Sequence, residues 1–351
     1  MIDSKRGEPR LPAPPPVLTS WGWVTPTRAN LLVAYAHSTP LTWYRGLEAF
    51  VREQVPLAPL TNYRVGGPAE FFAEPPDEKA LTEVLRRAAE EALPVRVLGH
   101  GTNLLVGDDG VSGLVLRLPK QGFGQLEHAG PRVRAGAGHS LPALVKWSVS
   151  QGLGGLECLV GVPGTLGAAL RMNAGGKYGE VGALVRSVRG CALDGTPFEW
   201  GPAACGFTYR DSALHGRIVT NCELELQAGP GAPGPALVRK VLDEKRASQP
   251  LAERSAGCVF KNPRLPGVPA AGRIIDELGL KGMRVGGASV SPMHANFLVC
   301  GRAAKAADVA ELIRRITNRV WAERGVRLEL EIEVWGLEVA ALLSEGGVCA
   351  A

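Results

Sequence analysis

The 351-residue sequence is poor in aromatic residues, 6% of the total, and holds only 4 methionines. It also lacks any apolar run near the roughly 18 residues needed to cross a bilayer, so no membrane role is expected. Its 7 cysteines, at positions 158, 191, 205, 222, 258, 300 and 349, include no CxxC pair and are odd in number. That pattern argues against a disulfide framework and a zinc site, so no metal is expected and a reducing, cytoplasmic setting fits best. Charge of one sign is scarce in excess: 39 Lys+Arg against 34 Asp+Glu leave a net +5, and the basic residues are not gathered into blocks. Nucleic-acid binding is therefore not expected, whereas an anionic small molecule is compatible. Arg28 precedes only the short apolar stretch 31–36, below the roughly 7–15 residues of a signal core, so export is not expected.

Glycine and proline are abundant, 45 and 27 residues, without a fixed period. Such a chain makes many tight turns and close backbone approaches. With 45% apolar content it is long enough for two or three domains. Residues 1–45, with Pro12, Pro14, Pro15 and Pro16 and no sustained period, read as an extension outside the main fold, either disordered or a misassigned start.

From Asp77, the spacing of Leu81, Val84, Leu85, Ala88 and Leu93 predicts a helix, followed by a short strand at 95–98 that meets a glycine loop. Ser140 is placed to cap a helix carrying Leu144, Val145 and Val149, with Gly152 as its stop. The glycine- and proline-rich stretch 229–235 predicts a domain boundary ahead of a helix over 236–245. Asp308 is read as the cap of a helix burying Val309, Leu312, Ile313, Ile316 and Val320, with Gly325 past its end. A half-buried strand is predicted over 326–334, where Val326, Leu328, Leu330, Ile332 and Val334 alternate with Arg327, Glu329, Glu331 and Glu333.

Two glycine-rich segments are the first candidates for ligand contact. In Leu98-Gly99-His100-Gly101-Thr102-Asn103-Leu104, paired glycines let backbone amides approach a phosphate. Leu104 stands where a dinucleotide-binding turn has its third glycine, and no P-loop occurs, so a plain strand-to-turn connection is the simpler reading of this segment alone. Residues 161–175, from Gly161-Val162-Pro163-Gly164-Thr165 through Gly167-Ala168 to Met172-Asn173 and Gly175, are small enough to lie against a planar ligand or to pack between helices.

Beyond these, ordered blocks run along most of the chain. They are Leu60-Thr61-Asn62-Tyr63-Arg64-Val65-Gly66-Gly67, Gly154-Gly155-Leu156-Glu157 leading into the second glycine segment, and Phe207-Thr208-Tyr209-Arg210-Asp211-Ser212. Ser255-Ala256-Gly257-Cys258-Val259-Phe260-Lys261-Asn262-Pro263, Gly279-Leu280-Lys281-Gly282 with Val285-Gly286-Gly287-Ala288, and Leu328-Glu329-Leu330-Glu331-Ile332 complete the series. In order and spacing the sequence resembles the UDP-N-acetylenolpyruvoylglucosamine reductases, in their shorter subtype. The resemblance implies an α+β protein: a two-subdomain FAD-binding unit of the vanillyl-alcohol-oxidase type over 46–235, split near 118, then an α+β substrate-binding domain over 236–338 and a tail over 339–351.

The resemblance further implies FAD as cofactor, NADPH as co-substrate and a UDP-sugar substrate whose enolpyruvyl ether is reduced in peptidoglycan precursor synthesis. Leu98, Gly99, His100, Gly101, Thr102, Asn103, Gly161, Val162, Pro163, Gly164, Thr165, Gly167, Ala168, Met172, Asn173 and Gly175 would hold the cofactor. Tyr209, Lys261, Asn262, Lys281 and His294 would meet substrate. Arg210, Cys258 and Glu331 would be catalytic, although residue patterns by themselves leave Arg210 as a salt-bridge residue and do not choose among Glu329, Glu331 and Glu333.

Cys258 is the main departure, since the family commonly has serine there. A thiol titrates near a pKa of about 8.5, is a stronger acid than an alcohol, and can donate while protonated. Thr102 replaces a usual serine but keeps its hydroxyl, Leu330 replaces a common proline, and Gly176-Lys177 alters the approach to Tyr178. Two rival readings remain compatible with the glycine loops alone: another flavin oxidoreductase of the same fold acting on a hydroxy acid or lactone, and a non-catalytic nucleotide-binding relative.

Overall fold

The computed structural model describes residues 43–229 and 234–343. Expectations for residues 1–42 and 344–351 lie outside the described residues. The described chain enters the fold at once: Trp43 and Tyr44, each 5% exposed, sit edge-on to each other and to Phe71. Two residues read as part of the extension therefore belong to a core.

The first sheet runs in the order Val51–Pro56, Pro68–Ala73, Val111–Leu116, Val95–Val97, with the first pair antiparallel and the others parallel. Parallel neighbours need a crossover. The helix Glu78–Glu90 provides one, and it begins where the sequence predicts, with the Asp77 carboxylate accepting from Ala80 N at 2.8 Å. Its buried face of Leu81, Val84, Leu85 and Ala88 packs with Trp43, Phe71 and Phe123.

The second sheet is antiparallel throughout, in the order Pro197–Trp200, Val185–Ala192, Arg217–Glu225, Arg132–Gly136, Leu126–Ala129. Helices Leu141–Ser150 and Leu166–Arg171 help form its core, through Leu144, Val145, Leu166 and Leu170. Ser140 does occupy the N-cap position, but its side chain makes no capping bond. The helix expected over 236–245 spans Pro235–Ser248, and Val241 packs into this same core. Lys245 Nζ donates to Val160 O at 2.6 Å. By packing, this helix lies with the sheet that precedes it.

The C-terminal part joins a three-stranded sheet, Arg284–Val285, Ala288–Val290 and Leu298–Cys300, to helices Ala271–Glu277 and Ala306–Arg324. The helix Ala306–Arg324 starts earlier than predicted. Lys305 is its N-cap, and Asp308 is the third helical residue, reaching back to accept from Lys305 N at 2.9 Å and from Gly287 N at 3.0 Å. Asp108, from the loop after Leu104–Val106, accepts from Ala306 N and Ala307 N at 2.9 and 3.0 Å. Two carboxylates from different segments thus satisfy donors that a helix start leaves unpaired.

The predicted strand 326–334 is corrected by the structure. Burial alternates as expected, with Val326, Leu328 and Ile332 inside. Regular strand geometry, however, is confined to Glu333–Trp335, which pairs in parallel with Leu104–Val106. The segment changes partner along its length: Leu330 bridges Phe260 before the chain crosses to the glycine-loop side. Without one continuous partner strand, an alternating sequence forms no continuous ladder. Among the described residues, no helix is long and apolar enough to cross a membrane.

Candidate active site

The two glycine segments meet face to face. Gly101 has φ +63°, and a Cβ there would stand 2.1 Å from Leu60 O, so only glycine fits. A Cβ on Gly99 would stand 2.9 Å from Thr165 Oγ1 and wedge the loops apart. Thr102 Oγ1 donates to Pro163 O at 3.4 Å across the same junction.

Between the loops lies a cavity of about 550 Å³. Leu98, Gly99, His100, Gly101, Thr102 and Asn103 line one side, and Val162, Pro163, Thr165, Gly167, Ala168 and Met172 the other. Gly161, Gly164, Asn173 and Gly175 stand behind this lining. Gly164 has φ +125° and faces Thr102, while a Cβ on Gly161 would crowd the Lys245 stem. Asn173 braces its surroundings, its Nδ2 donating to Thr208 O and Glu180 Oε2 and its Oδ1 accepting from Gly182 N.

Arg210, Lys261 and Glu331 line the same cavity. Arg210 sits in the tight turn 208–211 with φ +56°, a left-handed conformation costing a non-glycine residue about 1–2 kcal/mol. The turn aims its side chain inward. Its Nε donates to Glu331 Oε1 at 2.6 Å and its Nη2 to Gly175 O at 2.8 Å. Nη1 is buried without a hydrogen bond, 3.8 Å from Glu180 Oε1. The guanidinium as a whole, held by these partners, keeps its charge at the cavity wall, where it suits an incoming anion.

The three carboxylates that periodicity could not separate are now distinct. The Glu331 side chain is 13% exposed, against 78% for Glu329 and 38% for Glu333. Burial raises the pKa of Glu331, and the Arg210 cation pulls against that shift. Asn103 Nδ2 donates to Glu331 O at 2.9 Å, tying the first glycine loop to this residue.

Cys258 is half-buried and joins this group through the backbone, since Glu331 N donates to Val259 O at 2.8 Å. Burial, and then the Glu331 charge, push its thiol up to about 12, against the pull of Arg210, Asn296 and Lys245. The thiol therefore keeps its proton at neutral pH.

Several expected substrate contacts are engaged elsewhere. Tyr209 Oη accepts from Asn262 N at 3.3 Å, and the Tyr209 ring lies 5.1 Å from the Arg210 guanidinium and 4.4 Å from that of Arg264. Asn262 Oδ1 accepts from Ala271 N at the start of a helix. Lys281 pairs with Asp276 at 2.7 Å. His294 stacks edge-on to Phe297, accepts from Asn296 N, and has its pKa lowered chiefly by burial. None of these four lines the cavity: Asn262, Lys281 and His294 are held by partners in the C-terminal part, and Tyr209 reaches across to Asn262 and Arg264 there.

Comparison with known proteins now bears on this arrangement. The family profile described as UDP-N-acetylenolpyruvoylglucosamine reductase, C-terminal domain, matches residues 249–335, and an FAD binding domain profile matches 69–200. The chain is 44% identical over 288 residues to UDP-N-acetylenolpyruvoylglucosamine reductase 2 of Symbiobacterium thermophilum, covering 82% of this chain and 92% of the relative. The chain belongs to the UDP-N-acetylenolpyruvoylglucosamine reductase family. A Moorella thermoacetica member is 43% identical over 83% of this chain and 95% of its own length. The crystal structure of the Thermus caldophilus reductase superposes with a TM-score of 0.70 at 43% identity, over 82% of this chain and all, 100%, of that one.

The residues present fit the FAD implied for a reductase of this family. The glycines at 99, 101 and 167 hold backbone where a Cβ would strike Thr165, Leu60 or Ala137, and so keep both walls of the cavity thin. Sequence reasoning gave no site role to a polar chain on the cavity rim: Asp211 accepts from His215 at 2.8 Å, Arg171 donates to the other ring nitrogen at 3.2 Å, and Arg171 pairs with Glu333 at 2.8 Å. These residues lie far apart in sequence or in blocks noted for other reasons. No local signal joins them.

Proposed function

We propose that this chain reduces the enolpyruvyl ether of UDP-N-acetylglucosamine enolpyruvate to UDP-N-acetylmuramate, with NADPH as reductant, in peptidoglycan precursor synthesis. The observation that carries this reading is the convergence of Arg210, Glu331 and Lys261 on the cavity between the glycine loops, with the Arg210 guanidinium clamped by Glu331 and Gly175 O and the Cys258 thiol kept protonated by burial and the Glu331 charge. FAD, when bound between the glycine loops, supplies the hydride.

Addition of hydride to the enol-ether β-carbon leaves negative charge on the α-carbon, spread into the substrate carboxylate. Arg210, which lines the cavity, meets that carboxylate and steadies the developing charge. Glu331 fixes the guanidinium plane and, by its own charge, helps keep Cys258 protonated. Cys258 then protonates the α-carbon. Lys261 is assigned to the anionic body of the UDP-sugar, with the cofactor unit extended through the helix Pro235–Ser248 and the substrate domain following it.

The deciding experiment is anaerobic addition of NADPH to purified protein, followed by UDP-N-acetylglucosamine enolpyruvate, with flavin absorbance recorded throughout. Bleaching by NADPH and recovery on substrate addition are expected. A protein that bleaches but recovers only with a hydroxy acid's oxidised product or a lactone counterpart has a different substrate; one that is colourless and cannot be reconstituted is not this enzyme.

A further inference from the structure

Asn296 lies between the strands Ala288–Val290 and Leu298–Cys300 and is 3% exposed, where a polar side chain persists only when its hydrogen bonds are made. Its Oδ1 accepts from Phe260 N at 2.9 Å, and its Nδ2 donates to Phe260 O at 2.8 Å. One side chain thus does the work of a neighbouring strand's backbone. The Asn296 carbonyl also accepts from Val259 N at 2.8 Å, and Cys258 bridges Phe297. From the opposite side, Glu331 N donates to Val259 O and Lys261 N to Glu329 O, both at 2.8 Å. The segment 258–261 is gripped on both edges, with Cys258 at one end and Lys261 at the other.

A primary amide carries two N–H groups, and Phe260 O takes one. The other remains to favour the charged form of the Cys258 thiol and, with the Arg210 and Lys245 cations, opposes the upward push of burial and of Glu331.

We infer that Asn296 is a positioning residue for proton transfer: its grip on Phe260 aims the Cys258 sulfur, and its amide donates to that sulfur once the proton has left. The inference rests on the proposed role of Cys258. In that step the S–H bond breaks, a C–H bond forms at the substrate α-carbon, and the S–H electron pair remains on sulfur as a thiolate. The thiolate arises in a half-buried place beside the Glu331 carboxylate. Arg210, Lys245 and the Asn296 amide are the groups that offset this, and a solvent proton afterwards restores the thiol.

The test uses the FAD-loaded protein carrying Asn296→Asp, which keeps an acceptor for Phe260 N and loses the amide donor. Substrate-driven flavin recovery is expected to slow at least about tenfold while bleaching by NADPH is unchanged. Iodoacetamide labelling of Cys258, located by peptide mass spectrometry, is expected to slow about tenfold at fixed pH, because each pKa unit is tenfold in thiolate. In a Cys258→Ala background, Asn296→Asp is expected to slow recovery no further. An unchanged recovery rate, or the same slowing in the Cys258→Ala background, overturns the inference. If Cys258→Ala alone recovers at full rate, the role given to Cys258 falls instead. Asn296→Ser provides the same comparison should Asn296→Asp not fold.

Discussion

Among single residues, Cys258 shows most plainly what the chain's chemistry gains and gives up. Cys258→Ala is expected to slow substrate-driven flavin recovery about 10²–10⁴-fold with NADPH bleaching intact, measured by rapid mixing; equal loss in both phases would remove the thiol from proton transfer. From sequence, the thiol stands out only as a stronger acid than the family's usual serine. With burial and Glu331 pushing it up to about 12, thiolate is scarce, and labelling at neutral pH is expected to be slow and to accelerate as pH rises. Glu331 is shifted in the same direction, but its titration shows at the acid end of the pH range. Burial raises its pKa, so as pH falls it takes up a proton before an ordinary carboxylate would and loosens Arg210. An acid limb in the substrate phase is expected above the usual carboxylate range, and Glu331→Gln should abolish that limb while lowering the plateau. The identity of this glutamate was not legible from alternation, which treats three carboxylates alike; burial separates them, and burial depends on segments distant in sequence.

At the level of elements, local signals fared best where local forces decide. The helix opened by Asp77 was legible because cap and apolar stripe agree within one segment. The start of the helix Ala306–Arg324 was misread because Asp308 has cap chemistry from an interior position, while Asp108 arrives from nearly two hundred residues earlier to share the work. Asp108→Ala should remove two hydrogen bonds to that helix and cost about 1–2 kcal/mol, read as a lowered midpoint in denaturant unfolding. No change would mean solvent replaces the carboxylate there. The first glycine loop is less forgiving. Gly101→Ala places a Cβ against Leu60 O in a left-handed residue, so the variant should purify with little or no flavin; a fully yellow, stable variant would contradict the close approach.

For the whole molecule, the α+β class and the presence of a cofactor unit were legible from ordered blocks, whereas the pairing of those blocks was not. Nothing near Leu104 announces that Glu333–Trp335 will lie beside it, since parallel neighbours carry no shared turn or spacing. The cavity joins residues on both sides of that pairing, so cofactor binding and global stability should be linked. Removing FAD is expected to lower the melting temperature, and restoring it at about a hundred times its Kd should return about 2.7 kcal/mol; identical melting of both forms would place the cofactor outside the cooperative fold.

The pairing of Glu333–Trp335 with Leu104–Val106 also sets an order in time. A chain emerging from the ribosome exposes its first glycine loop early, yet Arg210 waits for Glu331, and the strand beside the loop waits for Trp335. Domains made first generally fold first. Here the Arg210–Glu331 pair and the strand beside the glycine loop cannot form until residues 331–335 have been made, so a product terminated before them is expected to fold in part and to lack this site.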